Sequence, residues 1–382
     1  MKGVALLGST GSIGRSALNV LDRHSDRFRI VALAANRNAA ELSRQVRHYS
    51  PGLAVLVDHD AARANGPLDP CIRTGRAALI DAATHPDADI VINAVVGAAG
   101  LEATLAALGA GKRLALANKE SLVAGGPLVR AALERGGGEL IPIDSEHSAI
   151  LQCMCGQPER AVRRMILTAS GGPFRDWPLD RLAEVTPEQA LRHPTWDMGA
   201  KITIDSATMA NKALEVIEAH FLFGMSYDAI DVVVHPQSII HSMVEFIDGS
   251  VLAQMGFPTM ELPILYALCH PARLSDSGTR PFDPVSAGPL TFEPVDGRRF
   301  RAFQLGVAAG RTGGTAPAVF NAANEVAVAG FLAGAVPFTG IADVIERALD
   351  EHDGHSADTL EDVLAADRRA RDVADAALRS TC

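Results

Sequence analysis

Val4-Ala5-Leu6-Leu7-Gly8-Ser9-Thr10-Gly11-Ser12-Ile13-Gly14, residues 4–14, decides the fold: a short apolar strand runs into a glycine-rich turn that opens a helix through Val20. Glycines at 8, 11 and 14 let the backbone turn tightly. The unpaired amides at the helix start, with the positive end of its dipole, suit a phosphate. The spacing is one residue off the common dinucleotide fingerprint, and a ligand-free turn can share this composition. Its place after the first strand selects the nucleotide reading.

The same rhythm continues downstream. Apolar runs at Arg29 to Ala34, Ala54 to Val57, Ile90 to Asn93, Arg113 to Ala117 and Glu139 to Ile143 alternate with Ala- and Leu-rich helical stretches, the pattern of a parallel, doubly wound sheet. Where NAD-specific folds carry an acid after the second strand, this chain has Asn36, Arg37 and Asn38, and an Arg there suits a 2′-phosphate, hence NADPH. After Asp144 the rhythm changes to longer loops and strands at Val162 to Ala169, Asp231 to Val234, Ser242 to Ile247 and Ser250 to Met255. Pro271 to Pro294, with five prolines, reads as an extended linker, and Arg301 onward reads as helices. The expected architecture is α/β: an N-terminal Rossmann-like NADPH domain over 1–144, a central α+β catalytic domain over 145–270, a linker over 271–300 and a C-terminal helical bundle domain over 301–382.

Composition narrows the function. A chain of 382 residues, 48% hydrophobic and 21% charged, has the balance of an ordinary globular protein large enough for several packed units. Its formal net charge of −10 argues against a nucleic-acid surface, though a few local cations can still hold an anionic small molecule. The odd cysteines Cys71, Cys153, Cys155, Cys269 and Cys382 fit a reducing compartment, and Cys153 with Cys155 lacks zinc-site spacing. With no long apolar run and a core strand at the very start, no membrane span or leader is expected, and the default location is cytoplasmic.

The chemistry-bearing residues fall after the first sheet. Asp144, Ser145 and Glu146 place two carboxylates on one side if the last strand continues through them, a fit for magnesium or manganese. Glu215 is the candidate third carboxylate, in a predicted helix that also carries Asn211 and Lys212 at spacings of three and four. On its own, such a triplet reads more readily as a solvated surface pair. Asp205 to Thr208 is expected at a helix start suited to an anion, Ser170-Gly171-Gly172 offers a phosphate-binding turn, and His193 to Gly199, with Trp196, reads as a closing loop.

These segments, with Asn118-Lys119-Glu120-Ser121-Leu122, Asp144-Ser145-Glu146-His147, Ser170-Gly171-Gly172-Pro173-Phe174, Lys201 to Glu215, His235-Pro236-Gln237-Ser238-Ile239-Ile240-His241-Ser242 and Asn321-Ala322-Ala323-Asn324-Glu325, closely resemble the 1-deoxy-D-xylulose 5-phosphate reductoisomerase family along nearly the whole chain. The resemblance implies a homodimer, its central domain also mediating dimerisation, that rearranges this phosphorylated sugar and reduces it with NADPH to 2-C-methyl-D-erythritol 4-phosphate in isoprenoid precursor synthesis. It implies catalytic roles for Lys119, Asp144, Glu146 and Glu215, with the three carboxylates holding Mg2+ or Mn2+. Implied substrate contacts are Lys119, Ser145, Glu146, Ser170, His193, Trp196, Met198, Ser206, Asn211, Lys212 and Glu215. Implied NADPH contacts are Gly8, Thr10, Gly11, Ser12, Ile13, Arg37, Asn38, Asn118 and Glu120. Asp197, Ala200 and the stretch from Phe257 to Glu261 depart from the family's usual pattern. Two rivals stay open: a metal-free NADP dehydrogenase using Lys119 as its acid, which would survive chelation, and a nucleotide-binding protein without turnover.

Overall fold

The computed structural model describes residues 1–65, 69–97, 99–196 and 198–380, so Ala98 and Asp197 lie outside the described residues. Packing groups the chain into two compact units. The first comprises Met1–Ser121, Val129–Ser148 and Thr259–Arg280, and the second Leu122–Leu128, Ala149–Pro258 and Pro281–Cys382.

In the first unit seven strands, β1 (Lys2–Leu7), β2 (Phe28–Ala35), β3 (Leu53–Leu56), β4 (Ile72–Thr74), β5 (Ile90–Asn93), β6 (Arg113–Leu116) and β7 (Glu139–Pro142), form one parallel sheet in the order β4-β3-β2-β1-β5-β6-β7. Between them run α1 (Ser12–Arg23), α2 (Ala39–Tyr49), α3 (His59–Ala64), α4 (Arg76–Ala83), α5 (Ala99–Gly109) and α6 (Lys119–Gly136), and α7 (Ser145–Met154) follows β7. Near-continuous burial of β1, β3, β5 and β6 is what a sheet covered on both faces requires. The chain winds outward from β1 to β4 and then restarts at β5, so the switch point lies between β1 and β5, where α/β sheets bind ligands. Residues 259–280 return to this unit through α11 (Glu261–Cys269). Arg23 donates to both Asp276 oxygens at 2.7 and 2.8 Å and to Glu261 at 2.6 Å, so the departure at Glu261 has a partner.

In the second unit β8 (Val162–Ala169), β9 (Ile230–Val234), β10 (Ile240–Phe246), β11 (Val251–Met255) and β12 (Glu293–Pro294) form a mixed sheet in the order β11-β10-β8-β9-β12. Two helices, α9 (Ala200–Thr208) and α10 (Ala210–Phe223), follow the short α8 (Pro187–Ala190). After the one-turn α12 (Pro284–Ala287), α13 (Arg301–Thr312), α14 (Ala316–Leu332), α15 (Gly340–Asp350) and α16 (Leu360–Ser380) build the helical bundle, with Phe320 and Phe331 fully buried in its core. The α/β class with a C-terminal helical bundle matches the sequence reading.

Three local expectations differ. The stretch from Pro271 to Pro294 is not simply extended, because it contains α12 and ends in β12, which pairs with Val233 and Val234 of β9. Proline tolerates that place because it is a sheet edge. The last parallel strand stops at Pro142 and a helix begins at Ser145, so Asp144 and Glu146 do not share a strand face. Asp205 to Thr208 close α9 rather than open a helix. Met209, left-handed at φ 57°, joins α9 to α10. Its backbone costs about 1–2 kcal/mol, but its side chain is buried with Ala169 and Phe300, worth about 1.5–3 kcal/mol, so packing wins.

Candidate functional site

The glycine-rich loop sits at the switch point of the first unit. A Cβ on Gly8, whose φ is 88°, would lie 2.3 Å from the Ala94 carbonyl oxygen, and one on Gly14 would lie 2.3 Å from that of Gly8. Gly11 is different: its φ of −75° suits any residue, and a Cβ there would meet only the Gly8 carbonyl at 3.4 Å. The amides of Gly8 and Ser9 both donate to Ala34 at 2.8 Å, and that of Gly11 donates to Gly8 at 3.1 Å. Thr10, Ser12, Ile13 and Gly14 are the loop positions whose amides have no such protein acceptor among the described residues, at a helix start with no side-chain cap.

At the end of β2, Arg37 is exposed and donates through Nε to Asp58 at 2.6 Å, leaving its two terminal nitrogens facing solvent. Asp58 also caps α3, and the Ala61 amide, then Arg37, holds its carboxyl below the ordinary range. Asn38 caps α2 by accepting the Glu41 amide at 3.1 Å. Asn118 and Glu120 are both buried. The Asn118 amide donates to Val95 at 2.8 Å, to Gly97 at 3.1 Å and to Glu120 at 2.7 Å, so it braces the loop after β5.

Around α6 and α7 the same unit gathers charge. One oxygen each of Asp144 and Glu146 lie within 4.8 Å of one another. Lys119, in the first turn of α6, donates to Asp144, and the fully buried His147 places Nδ1 3.2 Å from it. Burial would raise the Asp144 pKa, but the Lys119 charge and the contacts from His147 and Lys119 outweigh it and hold the carboxyl far below the usual range. Ser145 donates to Glu146. His147 had no role in the sequence reading, although it stands three residues after Asp144, one helical turn away.

The second unit holds the remaining candidates. His193 Nε2 lies 3.0 Å from Ser170 Oγ and 3.1 Å from Ser206 Oγ, while its Nδ1 accepts the amides of Thr195 and Trp196 at 3.1 and 3.0 Å. An accepting Nδ1 requires the ring proton on Nε2, so a neutral His193 presents an N–H beside two hydroxyls. Trp196 and Met198 are half-buried on this segment. In the first two turns of α10, Asn211 and Lys212 both donate to Glu215, which is 1% exposed. Buried Asn324 donates to Asp205 at 2.8 Å, beside Ser206, which gives the Asn321 to Glu325 motif a bracing role. His235 is likewise structural: its Nε2 accepts the amides of Ile239 and Ile240, and its Nδ1 donates to Thr291.

Burial pushes His193 down to about 4. Between that value and the ordinary histidine value of about 6.5 the unfolded chain binds the proton and the folded one does not. His193 therefore contributes stability that is lost as pH falls through that window and is unchanged above it. We expect the His193 ring resonances to titrate by NMR with a midpoint near 4. A midpoint at the unperturbed value would contradict the enclosed, neutral ring.

Comparison with known proteins supplies an independent line. Family models described as 1-deoxy-D-xylulose 5-phosphate reductoisomerase match residues 4–126, with its C-terminal domain matching 140–223, and the DXP reductoisomerase C-terminal domain matches 255–373. The chain is 54% identical over 381 residues to the 1-deoxy-D-xylulose 5-phosphate reductoisomerase of Symbiobacterium thermophilum, covering 98% of each. It is 52% identical over 379 residues to that of Thermosynechococcus vestitus, covering 97% of this chain and 92% of the relative. The solved reductoisomerase from Zymomonas mobilis in complex with NADPH superposes with a TM-score of 0.91 at 44% identity, covering 99% of both chains. A DOX-P reductoisomerase in complex with NADPH, fosmidomycin and magnesium superposes at 0.93 with 39% identity, covering 99% of this chain and 98% of that one.

Proposed function

The chain belongs to the 1-deoxy-D-xylulose 5-phosphate reductoisomerase family, and from that premise we propose which of its residues perform the reaction. The reaction is an intramolecular rearrangement of 1-deoxy-D-xylulose 5-phosphate followed by NADPH-dependent reduction to 2-C-methyl-D-erythritol 4-phosphate, a step toward isoprenoid precursors.

Asp144, Glu146 and Glu215 are the proposed metal ligands. The observation that carries this is the enclosed Asp144 and Glu146 pair beside Lys119. An all-carboxylate donor set suits a hard divalent cation, and two acids held this close cost stability without positive charge nearby. Magnesium or manganese, when bound, supplies a Lewis acid for the substrate's ketone and hydroxyl oxygens, as NADPH supplies the hydride. Lys119 donates a hydrogen bond to those same oxygens, and Ser145 orients Glu146. The substrate phosphate is clamped by the hydroxyls of Ser170 and Ser206, the Nε2–H of His193, Asn211 and Lys212, while Trp196 and Met198 exclude water.

For the nucleotide, the Thr10, Ser12 and Ile13 amides take the pyrophosphate, Gly8 and Gly11 allow its approach, and Arg37 with Asn38 takes the 2′-phosphate. Asn118 and Glu120 shape the nicotinamide end. Supplying 1-deoxy-D-xylulose 5-phosphate and following NADPH absorbance with and without magnesium tests the whole reading. We expect oxidation only with metal present, and oxidation that survives thorough chelation would favour a metal-free dehydrogenase.

A homodimer is also proposed. β11 is a sheet edge whose Val251, Leu252 and Met255 are exposed, near the exposed Ile247, and such an apolar edge is an association surface. Leu252→Lys is expected to shift the sedimentation coefficient from dimer to monomer, and a wild-type chain sedimenting as a monomer would end the proposal. Among the described residues no helix is long and apolar enough to cross a membrane, and Cys71, Cys153, Cys155 and Cys269 form no disulfide. Cysteines that form no disulfide favour a cytoplasmic location. Recovery of the enzyme from a membrane or secreted fraction would overturn that.

A further inference from the structure

Ser9 and Gln45 stand 36 residues apart and are both buried, Ser9 fully. Ser9 Oγ donates to Gln45 Oε1 at 2.6 Å, and Gln45 Nε2 donates back to the Ser9 carbonyl at 3.1 Å. The direction of the Gln45 amide is fixed by its third contact, Nε2 to Glu41 Oε1 at 3.3 Å. The flipped amide would set its own oxygen against that carboxylate and the Ser9 carbonyl, gathering three acceptors with no proton between them.

The consequence lies on the other side of the peptide bond. In a planar trans peptide the C=O and the following N–H point in opposite directions. With the Ser9 carbonyl drawn inward by Gln45, the Thr10 N–H must face outward, and Thr10 is among the loop positions whose amide has no backbone acceptor. The next peptide is fixed as well, because Arg15 Nη1 donates to the Thr10 carbonyl at 2.7 Å. We propose that Gln45 is a positioning residue for the cofactor: its side-chain amide locks the Ser9–Thr10 peptide with the Thr10 N–H facing the pyrophosphate. This rests on the reading that the loop from Gly8 to Gly14 holds that pyrophosphate. An amide already aimed binds more tightly than one that must first be ordered.

The test compares NADPH with adenosine 2′-monophosphate, which carries the 2′-phosphate but no pyrophosphate, in wild type, Gln45→Met, the double variant Ser9→Ala with Gln45→Met, Ser9→Ala and Gly11→Ala. The double variant removes the same donor to the Ser9 carbonyl but leaves no Ser9 hydroxyl without a partner and adds no charge beside Glu41, so it keeps the test open if Gln45→Met does not fold. Losing one aimed hydrogen bond is expected to raise the NADPH Kd roughly tenfold in both Gln45 variants. The inhibition constant of adenosine 2′-monophosphate should stay within about twofold, and Ser9→Ala, which keeps the carbonyl bond, should loosen NADPH less. Wild-type NADPH affinity in the Gln45 variants, or equal losses for both ligands, overturns the proposal. The reading beneath it fails separately: a Gly11 Cβ meets little in the protein, so NADPH affinity undiminished in Gly11→Ala would mean that no pyrophosphate lies against the loop.

Discussion

Glu215→Gln is expected to lower kcat by about three orders of magnitude or more while leaving NADPH affinity within about twofold of wild type. The proposed metal holder loses one of its three carboxylates, and metal assistance is worth several kcal/mol at about 1.4 kcal/mol per decade of rate. Glutamine keeps the shape and an acceptor oxygen, so Asn211 or Lys212 retains a partner. Lys212, itself 4% exposed, nevertheless loses the Glu215 charge, and breaking a buried pair costs up to about 3–5 kcal/mol. Circular dichroism must therefore accompany the kinetics. The half-saturating magnesium concentration should rise in parallel with the loss of kcat. If NADPH binding is lost instead while turnover persists, Glu215 is no metal ligand.

Lys119→Met should give a different signature. The substitution removes a buried ammonium that donates to Asp144, so kcat is expected to fall by about two to three orders of magnitude as substrate oxygens lose a charged donor. Magnesium affinity should hold or improve, because the same ammonium competes with the cation for Asp144. Asp144 then keeps the His147 contact without the Lys119 charge, and the carboxyl should become easier to protonate as burial goes less opposed. Metal titrations thus separate the two variants: Glu215→Gln weakens magnesium and Lys119→Met does not. Metal affinity lost equally in both would mean that Lys119 supports the carboxylates and does not act on the substrate.

Much of this was legible in the residues because each core strand is a short apolar run and the glycine loop follows the first of them. β4 was not, since of Ile72, Arg73 and Thr74 only the first is buried, and β12 was hidden because Glu293 and Pro294 have no strand character of their own. The joint at Met209 carries no glycine or proline, and it is held by burial that local sequence does not encode. Asp144 and Glu146 were identified as a pair for the wrong geometric reason, a continuing strand, whereas a strand end and a helix start bring their oxygens close. The Ser9 and Gln45 clamp spans 36 residues and has no motif. Nothing but the fold could reveal it.

The clasp of Arg23 on Asp276 and Glu261 has a bearing on how the molecule is made. Residues 259–280 complete a unit whose sheet is finished by Pro142, and α11 lies against α1. On the ribosome the nascent sheet must wait, with that flank of α1 bare, while more than a hundred intervening residues are translated, a time of some seconds at roughly 5–20 residues per second. The nucleotide-binding half is therefore no detachable cassette: a gene fragment ending at Ser148 encodes every strand of its sheet but lacks the segment that covers it.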